Sequence, residues 1–311
     1  MKRIAIYTHT ACLAHDTGPG HAECAARLEA VTDALHTLPH LEWHDAPRAA
    51  RGQLARVHAD PLLRRILDTC PDAPVALDPD TLLSPHSAEA ALRAAGAGVA
   101  AVDAVLHGEV HAAFCAVRPP GHHATFDTAM GFCLINTVAV AAAHALERHG
   151  LSRVAIVDFD VHHGNGTQAI FEIEPRVQYL SSHQAPLFPG TGSRGERGVG
   201  NLFNQPLPPG ADSAAFQHIW REQLLPELDA FAPELVLISA GFDAHWRDPL
   251  AQLRLHARDF AWLTGELVTL AQRHADGRMV STLEGGYDLE ALGECALAHV
   301  RALQGETAGR S

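Results

Sequence analysis

Two carboxylates and two imidazoles crowd into the stretch Asp158-Phe-Asp160-Val-His162-His163-Gly164-Asn165-Gly166. Just before it, Arg153-Val-Ala-Ile-Val157 is apolar without alternation, as in a strand buried on both faces. The glycines behind it end a strand and let backbone approach something closely. The cluster therefore falls at the carboxyl end of a strand, where open α/β sheets bind ligands. Asp160 and His162 are two residues apart, so in an extended backbone they point to the same side. An oxygen and a nitrogen donor converging there suit a borderline metal such as zinc. The plainer reading of the same residues is a polar strand end whose side chains satisfy one another.

Three more polar clusters follow strand signals. In Arg118-Pro-Pro-Gly-His-His-Ala124 a stiff turn presents His122 and His123 in fixed orientation, although adjacent histidines are also common on surfaces. In Ser239-Ala-Gly-Phe-Asp243-Ala-His245, Asp243 follows an apolar strand and a flexible glycine. In Leu283-Glu-Gly-Gly-Tyr287-Asp288 a Gly-Gly turn aims Tyr287 outward from the next strand end. Four such clusters facing one rim of one sheet are hard to ascribe to coincidence.

The elements that must position them alternate. Strands are expected at Ile4–Tyr7, His111–Val117, Arg153–Phe159, Val177–Ser182, Leu235–Ala240 and Arg278–Leu283. Helices are expected near Glu23–Leu38, from an N-cap at Ser87 to about His107, and over Thr137–His149, Ala257–His274 and Leu289–Leu303. Ala211–Phe231 reads as helix interrupted at Pro226, and the proline-broken segment Pro39–Pro85 as holding short helices around Leu54–Thr69. Such alternation predicts an α/β fold: one domain over residues 1–311, a parallel β-sheet with helices on both faces. No linker, repeat or low-complexity tract divides it, and Ala308–Ser311 reads as a frayed tail.

Composition narrows the classes. With 311 residues, 47% of them hydrophobic and 19% charged, the chain has material for a large core. A net charge of −13 argues against nucleic acid and anionic membranes as partners, and is compatible with cationic substrates. The apolar run in Met1–Tyr7 is too short for a signal peptide, and no stretch is long and apolar enough to span a bilayer. The six cysteines are scattered, without a Cys-x-x-Cys pair, so neither a disulfide framework nor a thiolate zinc site is expected. These features predict a reduced, cytoplasmic protein.

Taken together, Arg118–Ala124, Gly131-Phe-Cys133 with Asn136, Asp158–Gln168, Phe188-Pro-Gly-Thr-Gly192, Ser239–Asp243 and Leu283–Tyr287 resemble the zinc-dependent histone deacetylase superfamily, most of all its class II and bacterial branch. The resemblance runs in family order from His15…His21-Ala-Glu23…Arg27 to Tyr287, departing at Ala22, where many relatives have proline in an entrance loop. It implies an arginase/deacetylase-like fold and one zinc held by Asp160, His162 and Asp243, with the fourth place open to water or substrate. It further implies that zinc polarises the acyl carbonyl and acidifies its water. His123 would be the general base, with His122 beside it and Asp158 as the partner of His122. Tyr287 would donate to the oxyanion. Gly131, Phe132 and Phe188 would line a narrow apolar tunnel, with Cys133 packed in its floor. A structural potassium would be held by backbone at Asp158, Asp160 and His162 with Ser181 and Ser182. Asn165 stands where the class I branch has an aspartate, and a neutral amide should leave His123 with a lower pKa.

Other readings fit less well. A dimanganese ureohydrolase shares the fold but needs further carboxylates; Gly164 follows four residues after Asp160, and His245 two after Asp243. A non-catalytic acyl-lysine binder would have lost the tyrosine or a metal ligand, and none is lost. Gly190-Thr-Gly-Ser-Arg-Gly195 has the spacing of a dinucleotide loop but neither strand before it nor helix after it. For the substrate, the polyamine-selective branch carries an acidic residue seven positions after the third zinc ligand, where this chain has Leu250. Leucine packs on an aliphatic stem and gives no countercharge, favouring acetyl-lysine-type substrates over acetylpolyamines or other small acylamides. The sequence is compatible with a homo-oligomer without specifying one.

Overall fold

The computed structural model describes residues 2–305, so the tail expected at Ala308–Ser311 lies outside the described residues. Its strands are β1 (Ile4–Thr8), β2 (Leu41–Asp45), a short hairpin of β3 (Val75–Ala76) and β4 (Leu82–Leu83), β5 (Ala112–Cys115), β6 (Val154–Asp158), β7 (Val177–Gln184), β8 (Leu202–Leu207), β9 (Leu235–Ala240) and β10 (Met279–Leu283). All but the hairpin join one sheet in the order β2-β1-β5-β10-β9-β6-β7-β8, and every neighbouring pair is parallel. Strands β5, β6, β9 and β10 are buried along their whole length. That is why their sequences are apolar runs rather than alternations.

The helices are α1 (Ala25–His36), α2 (Arg51–Leu54), α3 (Asp60–Leu63), α4 (Ser87–Leu106), α5 (Thr137–His149), α6 (Asn165–Phe171), α7 (Ser213–Ile219), α8 (Leu225–Phe231), α9 (Ala257–His274) and α10 (Leu289–Leu303). They form two groups that cover the sheet: α4 packs with α5, while α10 packs with α1 and α9. Caps tie helix starts to the loops that matter below. The Asn136 side chain accepts from the Ala139 N–H at the start of α5, and Asp288 does the same for Ala291 at the start of α10.

Several sequence expectations need correction. Ser87 is the first helical residue rather than the N-cap, which is His86; the Ser87 hydroxyl instead accepts from the Ser84 N–H and pairs with His15 Nδ1. Helix α1 begins at Ala25, two residues later than read. Helical backbone runs from Ser213 to Phe231, and the interruption read at Pro226 is a departure from α-helix in the turn before it, where the proline has no N–H to give the ladder. The irregularity before it is a π-turn at Trp220–Leu224. Both edge strands escaped the reading. Strand β2 is half-exposed and polar, and β8 carries Pro206, which only an edge tolerates.

Candidate functional site

Strands β5, β10, β9 and β6 are consecutive neighbours in the sheet, and the four polar clusters lie on the segments leaving their carboxyl ends. Strand β6 itself stops at Asp158, and Asp160–His162 is a bend rather than extended chain. The two side chains meet because the chain turns: Asp160 Oδ1 accepts the His162 N–H at 2.9 Å. His162 Nδ1 then lies 3.1 Å from Asp160 Oδ1 and 3.2 Å from Asp243 Oδ2. One donor atom from each of the three falls within 4.8 Å of the others.

Each carboxylate is also anchored by a backbone amide from another strand end. Asp160 Oδ2 accepts from Gly285 N–H and Asp243 Oδ1 from Val161 N–H, both at 2.8 Å. Two glycines make room for this. A Cβ on Gly241 would lie 2.0 Å from Asp160 Oδ2, and one on Gly285 2.0 Å from Asp243 Oδ2. Burial opposes a charge on His162, yet Asp160 and Asp243 outweigh it and lift its pKa to about 10. Burial, reinforced by Asp160, pushes the Asp243 carboxyl up. Two buried carboxylates converging on one imidazole call for a cation. An O, N, O donor set with a side open to a cleft fits zinc or a similar borderline divalent ion.

The histidine pair is differentiated by its partners. His122 Nδ1 lies 3.0 Å from Asp158 Oδ2, which also accepts the Tyr179 hydroxyl at 3.0 Å. Burial works against a charge on His122, but Asp158 and Asp160 prevail and hold its pKa well above the usual imidazole value. For His123, burial together with the charges of His122 and His162 pushes the pKa well below it. His123 Nδ1 lies 2.8 Å from Asn165 Oδ1, while the Asn165 amide nitrogen donates to Met130 Sδ at 3.4 Å. With the amide oxygen facing the ring, the bonding assigns the His123 proton to Nδ1 and leaves Nε2 a free acceptor.

These groups border a cleft of about 230 Å³ whose walls are Phe132, Leu187, Phe188 and Leu250, with Gly131, His123, His162, Tyr287 and Asp80 completing it. Gly131 (φ +57°) is required, since a Cβ there would meet the His123 ring at 2.6 Å and Phe188 at 2.9 Å. Phe132 presents its ring to Tyr287 at 5.8 Å. The Tyr287 ring carries the Arg27 guanidinium 4.8 Å from its centroid, and burial pushes the phenol pKa well up, so it stays a donor. Cys133 is fully buried, consistent with a packing role. The Ser181 hydroxyl pairs with His183 Nδ1, and that of Ser182 accepts from Trp220 Nε1.

Sequence reading missed four of the groups that hold or border this site. Asp248 uses both oxygens, one on the Tyr287 N–H at 2.8 Å and one on the Leu250 N–H at 2.9 Å. Burial and the charge of Asp243 push its pKa up to about 7. Glu284, also raised to about 7 by burial, accepts from Gly121 N–H, His122 N–H and the Ser239 hydroxyl, so it ties three strand ends together. Its signal was a carboxylate between an apolar strand and a Gly-Gly turn. Asp80 has no such signal and reaches the cleft from a loop remote in sequence, whereas Leu187 directly precedes Phe188 and lines the cleft beside it. Glu23 and Arg27, noted only as part of a motif, form a buried network with Arg118. Glu23 accepts from Arg118 at 2.5 and 2.7 Å and from Arg27 at 3.0 Å, and Arg27 donates to the Gly286 carbonyl at 2.6 Å.

Residues 21–303 match the family model described as histone deacetylase domain. The histone deacetylase-like amidohydrolase of Pseudomonas aeruginosa is 39% identical over 98% of this chain and 87% of its own length. The human polyamine deacetylase HDAC10 is 43% identical over 72% of this chain, which corresponds to 34% of that protein. The crystal structure of the HDA15 HD domain superposes with a TM-score of 0.93 at 34% identity, covering 100% of this chain and 90% of that one. Among the described residues, no helix is long and apolar enough to cross a membrane.

Proposed function

The chain belongs to the histone deacetylase family, and from that premise we propose that it is a single-domain, zinc-dependent amidohydrolase removing acetyl groups from acetyl-lysine-type substrates. One observation carries the reading: a neutral imidazole with a free Nε2 borders an apolar cleft beside three converging metal donors. Asp160, His162 and Asp243 would hold the zinc. When bound, zinc supplies Lewis acidity toward the acyl carbonyl and the attacking water.

The chain's own groups do the rest. His123 takes the water's proton at Nε2 and later returns it to the leaving amine nitrogen. Asn165 fixes the tautomer this requires, and the charge on His122, maintained by Asp158, keeps His123 from holding a proton at rest. Tyr287 donates its hydroxyl to the carbonyl oxygen as that oxygen becomes negative. Phe132, Phe188 and Leu250, with Gly131 between them, sheathe the aliphatic stem and exclude water. Potassium at the backbone of Asp158, Asp160 and His162 with Ser181 and Ser182 is supported by the family resemblance alone. All six cysteines are free, which suits a reducing cytoplasm.

Acetylpolyamines are the second reading, favoured by the carboxylate of Asp80 on the cleft, which offers a distal ammonium a countercharge that Leu250 does not. Turnover of an acetyl-lysine peptide, acetylspermidine and acetylputrescine by protein of known metal content tests both. We expect one zinc per chain at the catalytic centre and the highest kcat/KM on the peptide. A hundredfold preference for the polyamines would reverse the substrate assignment; two manganese ions without deacetylation would overturn the reading.

A further inference from the structure

A second set of metal-type donors lies at the opposite end of the sheet. Helix α4 ends five residues before β5 begins, and α5 ends shortly before β6, so both helix ends sit at the amino ends of the strands, away from the cleft. There Asp103 of α4 faces His144 and His149 of α5. Asp103 Oδ1 lies 2.8 Å from His144 Nε2 and 2.7 Å from His149 Nε2, and the three donor atoms fall within 4.8 Å of one another, as they do at the catalytic cluster. His144 is buried and the other two are half-buried. His107 is one helical turn beyond Asp103, on the same face, with its ring 5.6 Å from that of His149.

We propose that Asp103, His144 and His149 form a second, non-catalytic site for a borderline divalent transition ion such as zinc, with His107 as the nearest further donor. Two imidazole nitrogens and one carboxylate oxygen are the donors such ions select over magnesium or calcium. The ion would fasten the end of α4 to the end of α5. Arg56 is its competitor. Its Nη1 lies 3.3 Å from His144 Nδ1, and donation there keeps the imidazole proton on Nε2, the tautomer that cannot ligate at that atom. Arg56 is exposed and can swing away, so the site is open to an ion but biased against it.

Zinc-loaded protein dialysed against micromolar free zinc provides the test, by metal counting and thermal unfolding of wild type, His149→Ala, Asp103→Asn and Arg56→Ala. Wild type should carry one zinc more than His149→Ala or Asp103→Asn, with deacetylase activity equal in all, which also shows that the variants fold. Excess zinc should raise the wild-type Tm by roughly 4 °C more than that of His149→Ala at about a hundredfold over the dissociation constant. Arg56→Ala should bind the additional zinc more tightly. Equal zinc content in wild type and either ligand variant overturns the site, and weaker binding by Arg56→Ala overturns the competition.

Discussion

With His123 as the proposed base, Asn165 would help set the pH range in which it can act. A base must be unprotonated to work, and His123 is depressed by burial, His122 and His162, with only a neutral amide on Nδ1. The ascending limb of kcat/KM against pH should therefore lie below the ordinary imidazole value of about 6.5. Asn165→Asp adds a negative partner that favours the imidazolium, so the limb should move up by about one unit. An identical profile in that variant would remove His123 from the role. Tyr287→Phe should retain zinc while kcat falls by about two to three orders of magnitude, the usual effect of losing one oxyanion donor; a loss below about threefold would make the tyrosine structural. The pairing of His123 with Asn165 was legible only through the family resemblance, which sets an aspartate of the class I branch at the position of Asn165. Asp248 was not, because its two hydrogen bonds go to backbone, and backbone acceptance leaves no mark on the partner's residue type.

Among the elements, the strand ends are governed by what cannot be there. Gly285 is the second residue after β10, and a Cβ on it would fall 2.0 Å from Asp243 Oδ2, with Asp160 Oδ2 at 2.6 Å. Gly285→Ala must displace a carboxylate or the backbone, and displacements near 1 Å cost about a hundredfold in rate. We expect at least that loss together with lowered zinc content, at an unchanged circular dichroism spectrum. Full zinc and activity would show that the segment yields freely. Central strands were readable because burial on both faces leaves only apolar runs. The edges were not, because β2 answers to solvent and β8 contains a proline, so neither carries the pattern that defines an interior strand.

Across the whole molecule, buried neutral imidazoles bias the fold against acid. Burial lowers His15, His58 and His183 to about 4, and His163 and His299 to about 3. Between pH 6.5 and 4 the unfolded chain binds protons at these five positions that the folded chain refuses, so stability falls as pH falls. Asp248 and Glu284, at about 7, work the other way by taking protons in the folded state first, as do the raised Asp80, Asp158 and Asp243, but His123 and His245 are lowered too, so seven imidazoles oppose five carboxylates. The urea midpoint of chelated protein should decline steadily from pH 6.5 to 4; a constant or rising midpoint would contradict this balance. The parallel class of the sheet was legible from alternating strand and helix signals, whereas strand order was not, since apolar strands carry no label for their neighbours. That order bears on how the chain is made. β10, the last of the described strands in chain order, pairs with β5 on one side and β9 on the other. Until it emerges, β2-β1-β5 and β9-β6-β7-β8 are separate half-sheets, each with an open central edge of the kind that chaperones cover and aggregates recruit.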